Sequence, residues 1–138
     1  MSEVLVDASF LIAMGYPKDK NHDDAVKFAT LTEFDFLIPS VVLPEVMYNL
    51  RRVGGSHAAL EFGSALLSEL TSFIRLTLQD YERALAIMRT YQNVELDFVD
   101  SCLTAIAERL EVTQICTFDR RDFSIIRPAH TDYFEMLP

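Results

Sequence analysis

Acidic side chains occur in four short segments of the chain, each at a position from which they could meet in one site. Asp7 and Asp119 follow apolar, strand-like runs, whereas Glu45 and Asp100 lie early in helix-like stretches. In an α/β domain such positions lie at the carboxyl edge of the sheet. Four carboxylates gathered there repel one another unless a cation neutralises them. Because Mg²⁺ and Mn²⁺ prefer oxygen ligands, the sequence predicts a site for one of these ions.

Each of these acids also has an ordinary structural role, which the sequence leaves open. Asp7 can form a turn or cap the helix that follows it. Glu45 follows Pro44 and can interact with the dipole of its helix. Asp119, between an aromatic residue and two arginines, is typical of a turn. The order and combination of the acids therefore carry more information than any one of them.

Two further acids, Asp97 and Asp122, have less certain places in such a site. Asp97 and Asp100 are three residues apart and share a helix face. We expect Asp97 to cap that helix while Asp100 projects into the site. Asp122 is the weaker candidate, because it can pair with Arg121 or cap a short turn. The hydroxyl groups of Thr117 and Ser9 either orient the carboxylates or only complete strand-end and cap hydrogen bonds.

The elements that must position these acids follow from the spacing of apolar residues. Apolar, β-branched runs predict strands at residues 4–6, 36–38, 73–76, 113–117 and 133–137. Helical spacing predicts helices at residues 9–14, 21–32, 40–52, 56–70, 97–110 and from 79 or 80 to 88. Ser40 is the expected N-cap of the third helix, and Gly54-Gly55 its end. Strands alternating with helices predict an α/β fold with a mainly parallel sheet covered on both faces.

Length and composition indicate one domain over residues 1–138. The chain is 50% hydrophobic, enough to fill a core between a sheet and two helical layers. No apolar run approaches the ~18 residues of a membrane span, and the acidic start argues against a signal peptide. The two cysteines, Cys102 and Cys116, lie in apolar contexts and are expected to be buried free thiols. These features together predict a cytoplasmic protein.

Charge weakens a nucleic-acid interpretation without excluding it. The chain has 21 acidic and 12 basic residues and a net charge of −9, which argues against a broad basic binding surface. Without Asp7, Glu45, Asp97, Asp100 and Asp119, 16 acids face 12 bases, a net charge of −4. Four arginines are candidates for phosphate contacts, although a solvated charge at a helix end or in a loop is the simpler interpretation of any one of them: Arg51, Arg52, Arg120 and Arg121.

Taken in order, these segments resemble the PIN domain, and within it the VapC-like toxin ribonucleases of bacterial toxin–antitoxin pairs. The final Thr-x-Asp-x-x-Asp-Phe element is the most specific part, and Ser101 stands where the family often has Ala. The segments that carry the resemblance are Val6-Asp7-Ala8-Ser9, Pro44-Glu45-Val46, Val99-Asp100-Ser101, Ala105-Ile106-Ala107-Glu108-Arg109-Leu110 and Thr117-Phe118-Asp119-Arg120-Arg121-Asp122-Phe123.

The resemblance implies a three-layer α/β/α fold around a parallel sheet of four to five strands. It implies metal-dependent RNA cleavage by Asp7, Glu45, Asp100 and Asp119, with Asp97, Thr117 and Ser9 as auxiliary residues. We expect Asp7 and Asp100 to be the principal ligands of Mg²⁺ or Mn²⁺. The resemblance also implies a homodimer and inhibition by a cognate antitoxin protein.

Other functions are compatible with the same residues. A metal-dependent phosphatase would use Asp7 as a covalent nucleophile, and a non-catalytic PIN-like module would only bind a partner. Apolar residues in neighbouring helices offer either a dimer surface or ordinary core: Tyr48, Leu60, Phe62, Leu66 and Leu67.

Overall fold

The computed structural model of the chain describes residues 2–69 and 72–138. Its strands are β1 (Glu3–Val6), β2 (Asp35–Pro39), β3 (Ser72–Ile74), β4 (Gln114–Cys116) and β5 (Glu135–Leu137). They form one sheet in the order β3-β2-β1-β4-β5, and every neighbouring pair is parallel. The predicted parallel sheet is therefore confirmed, with all five strands in it.

Helices cover both faces of this sheet. They are α1 (Ala8–Gly15), α2 (His22–Leu31), α3 (Leu43–Ser68), α4 (Leu78–Thr90), α5 (Phe98–Leu110) and α6 (Arg121–Ile125). Helix α1 packs against α2 and α3, and α4 packs against α5. Right-handed crossovers between parallel strands place these two groups on opposite faces, which gives the predicted three-layer fold.

The central strand explains why the core forms where it does. Val4, Leu5 and Val6 are at most 1% exposed, because a parallel strand covered on both faces must be apolar on both. Ile115 and Cys116 of the neighbouring strand β4 are fully buried beside them. Cys102 is buried as well, and both cysteines are free thiols, as predicted.

The start of α3 differs from the prediction. Ser40 begins a short 3₁₀ turn, Ser40–Val42, and α3 starts at Leu43 without a side-chain cap. A helix capped by Ser40 would need Pro44 to donate an N–H to the Ser40 carbonyl, and proline has none. The Leu43 N–H donates to that carbonyl instead. The prediction of Ser40 as an N-cap is therefore wrong.

The glycine pair interrupts α3, as its sequence indicates. Gly55 has φ 88° and ψ 168°, a conformation in which glycine, without a Cβ, is favoured. A second helical segment follows and ends at Ser68. The predicted helix at residues 56–70 extends to Leu70, which lies outside the described residues.

Helix α4 begins at Leu78, earlier than the predicted start at residue 79 or 80. Thr77 is the N-cap, and its hydroxyl accepts from the Asp80 N–H while the Asp80 carboxylate accepts from the Thr77 N–H. Asp80 is thus the third helical residue of a capping box and does not open the helix.

Two ion pairs join α4 to α5, the helix that carries Asp100. Arg109 donates to Asp80 at 2.9 Å, and Arg83 donates to Glu108 at 2.7 Å. Burial raises the pKa of Asp80, but hydrogen bonds and charge from Arg109 outweigh it and hold that pKa below its usual value. These contacts fix α5 against its neighbour.

The strand order creates a crevice between β1 and β4. The chain runs from β1 outward to β2 and β3, and then continues on the other side of β1 with β4 and β5. In open parallel sheets, ligands bind at the carboxyl ends of strands where the order reverses in this way. The Asp7 N–H donates to the Cys116 carbonyl at 3.1 Å across this point. No helix in the described parts of the chain has the length and hydropathy needed to cross a membrane.

Candidate active site

An acidic pocket of about 450 Å³ lies at the carboxyl edge of the sheet beside β1 and β4. All four acids predicted from the sequence line it, although they come from separate parts of the chain. Ser9 and Arg121 also line it. The acids around this pocket are Asp7, Glu45, Glu95, Asp97, Asp100, Asp119 and Asp122.

Asp7 is the most firmly held of these acids. Its Oδ1 accepts from the Phe10 N–H at 3.1 Å and from the Ser9 hydroxyl at 2.7 Å, and its Oδ2 accepts from the Thr117 hydroxyl. The residue caps α1 and is only 5% exposed. Burial raises the pKa of Asp7 to about 6, although these hydrogen bonds oppose the rise. The capping role and a place in the pocket therefore coincide.

Ser9 and Thr117 connect the start of α1 to the loop after β4. The Ser9 hydroxyl accepts from the Phe118 N–H at 3.0 Å, and the Thr117 hydroxyl accepts from the Asp119 N–H at 3.0 Å. Each hydroxyl also donates to Asp7. Two short side chains thus set the position of Asp119 relative to Asp7.

Helix α5 presents Asp97 and Asp100 at its first turn. Asp97 is the N-cap, and its Oδ2 accepts from the Asp100 N–H at 3.4 Å. Ser101, which is fully buried, donates to the Asp97 carbonyl at 3.1 Å. The predicted cap is therefore present. Asp97 still lines the pocket, so the cap does not remove it from the site.

The environment of Asp100 disfavours its ionised form more strongly than that of Asp7. Burial raises the pKa of its carboxyl group to about 9, and the nearby charge of Asp97, a hydrogen bond with Asp122 and the charge of Asp7 add to that effect. Such a shift means that the ionised carboxylate is poorly compensated by the protein's own cations. A bound cation would supply that compensation.

Asp122 has a larger structural role than the sequence indicated. Its carboxylate is 5% exposed, accepts from the Asp97 N–H at 2.8 Å and pairs with Arg121 at 2.7 Å. Arg121 also donates to the Val94 carbonyl at 2.5 Å. Asp122 therefore connects α6 to the N-terminal end of α5, and this contact helps to position α5 in the site.

Glu45 and Asp119 are the more exposed of the predicted acids. Glu45 lies in the first turn of α3, and partial burial, followed by the charges of Asp97 and Asp119, raises its pKa. Asp119 lies in the loop between β4 and α6. Both side chains are accessible to a ligand entering from solvent.

Glu95 is a pocket acid that sequence reasoning did not identify. It follows the 3₁₀ turn Gln92–Val94 and has a positive φ of 51°, which is uncommon for a residue other than glycine. No spacing rule in the sequence marks it, because only the path of the loop brings it to the pocket.

The donor set fits a hard divalent cation bound partly through water. Among the described residues, no three His, Cys, Asp or Glu side chains lie so that they could together hold a metal ion directly. Mg²⁺ does not need three such ligands, since it usually keeps several waters and takes only one or two carboxylates directly. The crowding of acids around one paired arginine is the feature that favours an ion.

The arginines proposed for phosphate contact lie in different surroundings. Arg121 already donates to the Asp122 carboxylate and to the Val94 carbonyl. Arg52 donates to Asn49, and Arg51 lines a separate apolar depression on α3. Arg120 donates one N–H to the Pro138 carbonyl at 2.6 Å and lies in a cleft beside the site.

Comparisons with known proteins give one consistent result. The model of the PIN domain family matches residues 4–127. Ribonuclease VapC26 of Mycobacterium tuberculosis (strain ATCC 25618 / H37Rv) is 27% identical over 139 residues, which cover 98% of this chain and 100% of that protein.

Two solved structures share the fold. The M. tuberculosis toxin VapC20, described as cleaving the sarcin-ricin loop, has a TM-score of 0.83 at 22% identity and covers 98% of this chain and 99% of its own. A toxin–antitoxin complex from Klebsiella pneumoniae has a TM-score of 0.64 at 18% identity, with coverage of 95% and 98%.

The contacts at the start of α5 predict different costs for two neighbouring acids. Asp97→Ala removes a long, exposed cap bond and should lower the free energy of unfolding by about 1 kcal/mol or less. Asp122→Ala leaves the Asp97 N–H and Arg121 without their partner and should cost about 1–3 kcal/mol. Urea unfolding of both variants measures the difference.

Asp122→Asn is the matched control, because it keeps an acceptor and should recover part of the loss. Equal stability of Asp122→Ala and the parent would contradict the role given to Asp122.

Proposed function

The chain belongs to the PIN domain family, and from that premise we propose that it is a metal-dependent endoribonuclease of the VapC toxin type. The observation that carries the proposal is the convergence of Asp7, Glu45, Asp100 and Asp119 in one pocket. The relative named Ribonuclease VapC26, which matches over nearly the full length of both chains, supports the same activity. The substrate is RNA, and the reaction is hydrolysis of a phosphodiester bond.

The proposed cofactor is Mg²⁺ or Mn²⁺. Asp7 and Asp100 would be its principal ligands, while the exposed Glu45 and Asp119 would act through water or a second ion. When bound, the cation lowers the pKa of a water molecule and offsets the charge that grows on the phosphate. A pocket lined by seven acids suits this chemistry.

The chain's own residues position the reacting groups. Ser9, Thr117 and the Phe10 N–H hold the Asp7 carboxylate in one orientation. The Asp97 cap and the Asp122 contact hold the first turn of α5, and with it Asp100. Glu45 and Asp119, which face solvent, can accept hydrogen bonds from the attacking water and so orient it towards phosphorus.

The phosphatase alternative differs in its intermediate. A covalent aspartyl nucleophile would carry the phosphoryl group during turnover. A trapped aspartyl-phosphate at Asp7 would therefore support a phosphatase, and its absence during RNA cleavage supports hydrolysis by water. The non-catalytic alternative can be distinguished by measuring metal binding. It would be favoured if the chain bound no metal while all four acids were intact.

We expect Asp100→Asn or Asp7→Asn to abolish metal-dependent RNA cleavage, because each removes a charge from a hard-cation site. Cleavage of labelled RNA should require added Mg²⁺ or Mn²⁺ and stop with a chelator. Asp132→Asn, an exposed acid outside the pocket, is the matched control and should leave cleavage unchanged.

A melt of the metal-free protein separates loss of activity from loss of fold. Asp100→Asn removes carboxylate repulsion, so this variant should melt at the same temperature as the parent or slightly higher. Undiminished cleavage by either site variant would contradict the assignment.

We further expect the chain to be a homodimer. Of the five apolar residues singled out in the sequence, Tyr48, Leu60 and Leu67 are 58%, 63% and 69% exposed, whereas Phe62 and Leu66 are partly buried against the core. Light scattering on the purified chain should give the mass of two copies, and a monomer would refute the claim. A second apolar face exists on α4, so Leu60→Glu and Leu85→Glu show which face is in the interface.

Inhibition by a cognate antitoxin is the proposed regulation. An arginine from an antitoxin tail could enter the acidic pocket and pair with Asp100 or Glu45, excluding both metal and RNA. Arginine suits this role because its planar fork binds carboxylates in a bidentate way.

RNA cleavage should therefore fall when the antitoxin encoded beside this chain is added. Inhibition should weaken when the basic residue of the antitoxin is replaced by Ala. Full cleavage under saturating antitoxin would contradict the proposal.

A further inference from the structure

A second cleft, of about 600 Å³, lies on the other side of the loop that carries Asp119. Helix α2 and this loop form its walls, and we call it the α2 cleft. Asp119 lines the acidic pocket, while its neighbours Phe118 and Arg120 line the α2 cleft. The two depressions are therefore adjacent, and a single extended ligand can occupy both.

The α2 cleft differs from the acidic pocket in charge. It is lined by the cations Lys27 and Arg120, by one acidic side chain, Asp24, and by Pro138, whose backbone oxygen accepts from Arg120. Lys27 is exposed and has no ion pair within the described residues. Arg120 uses one N–H group for the Pro138 carbonyl, so its other donors can reach a ligand. By contrast, Arg121 in the acidic pocket is already paired.

The walls between these cations are apolar and aromatic. Leu31 lies three residues after Phe28 and four after Lys27, so it is a neighbour of each on the surface of α2, and it is 72% exposed. The ring of Phe118 stacks on the buried Phe10, with centroids 5.9 Å apart and planes 10° apart. One face of Phe118 is thus supported by the core, while the partly buried residue also lines the cleft.

We propose that the α2 cleft binds the nucleotide of single-stranded RNA that flanks the phosphate held in the acidic pocket. Its base would lie against Phe118 and Leu31, and its phosphates would contact Arg120 and Lys27. Aromatic walls beside cations are how proteins commonly hold single strands. This proposal rests on the proposed function and adds the surface that attracts RNA to an otherwise acidic chain.

RNA binding by the inactive Asp100→Asn protein tests the cations. The probe is a fluorescein-labelled single-stranded RNA oligonucleotide, titrated with Mg²⁺ present at several salt concentrations. Lys27→Gln and Arg120→Gln should each weaken binding and reduce the slope of log K against log salt by about 0.7, the value for one lost phosphate contact on a single strand. Arg89→Gln, which removes an exposed charge on α4, is the matched control and should do neither.

The apolar wall is tested by a change that leaves charge alone. Leu31→Ser should weaken binding by roughly threefold without altering the salt slope, since it removes contact with a base and no phosphate contact. Tyr133→Ser is its control, because Tyr133 is a comparably exposed apolar residue, 67% against 72% for Leu31, and lines neither the α2 cleft nor the acidic pocket. In the otherwise native enzyme, the cleft variants should raise KM and leave kcat close to that of the parent.

The possible outcomes distinguish failure of the α2 cleft as an RNA-binding site from failure of the proposed ribonuclease function. If the parent chain does not cleave RNA, the proposed function fails. If the parent cleaves RNA but the Lys27, Arg120 and Leu31 variants bind it like their controls, the α2 cleft proposal alone is overturned. The same result together with weakened antitoxin inhibition would make the cleft a protein-binding surface, which also overturns the proposal.

Discussion

Repulsion among carboxylates at the crevice between β1 and β4 is the constraint on which the rest of the site depends. Asp7 is almost wholly buried there, with Asp100 and Asp122 close by. Burying an ionised carboxylate is unfavourable unless hydrogen bonds or opposite charges compensate it. The chain supplies hydrogen bonds to Asp7 and a single paired arginine to Asp122. Within the described residues Asp100 has no ion pair with a basic side chain, so a bound cation would compensate its charge.

The supports of the site are also supports of the fold. Asp7 and Asp97 cap α1 and α5, and Asp122 receives the N–H of the Asp97 cap residue. Each cap fixes the first turn of a helix, which is also the part that faces the crevice. Behind that turn, α5 is tied to α4 through Arg109 and Asp80. Replacing Asp97 or Asp122 should therefore change both the stability of the protein and the position of the first turn of α5. Replacing Asp100 by a neutral residue should instead remove repulsion between carboxylates.

Local features of the sequence were predictable because they depend on neighbouring residues. The run Val4-Leu5-Val6 is apolar at every position, which indicates a strand buried on both faces, and Asp97 stands directly before an apolar helical repeat. The predicted cap at Ser40 was wrong, because the missing N–H of Pro44 outweighs the preference of serine for N-cap positions. The contact of Thr117 with Asp7 spans 110 positions and that of Asp122 with Asp97 spans 25. Such pairs, like the entry of Glu95 into the pocket, follow from the fold and have no local pattern.

Net charge is a poor guide to function when opposite charges are separated within one surface. A chain with a net charge of −9 should repel RNA at long range. Screening limits that repulsion to roughly 8 Å at physiological salt, so the charges nearest the ligand decide binding. Arg120 and Asp119 are adjacent in sequence and line neighbouring clefts. One short loop therefore places the cation that we propose for phosphate binding beside an acid that we propose for the metal site, which is how an acidic protein could hold a polyanion.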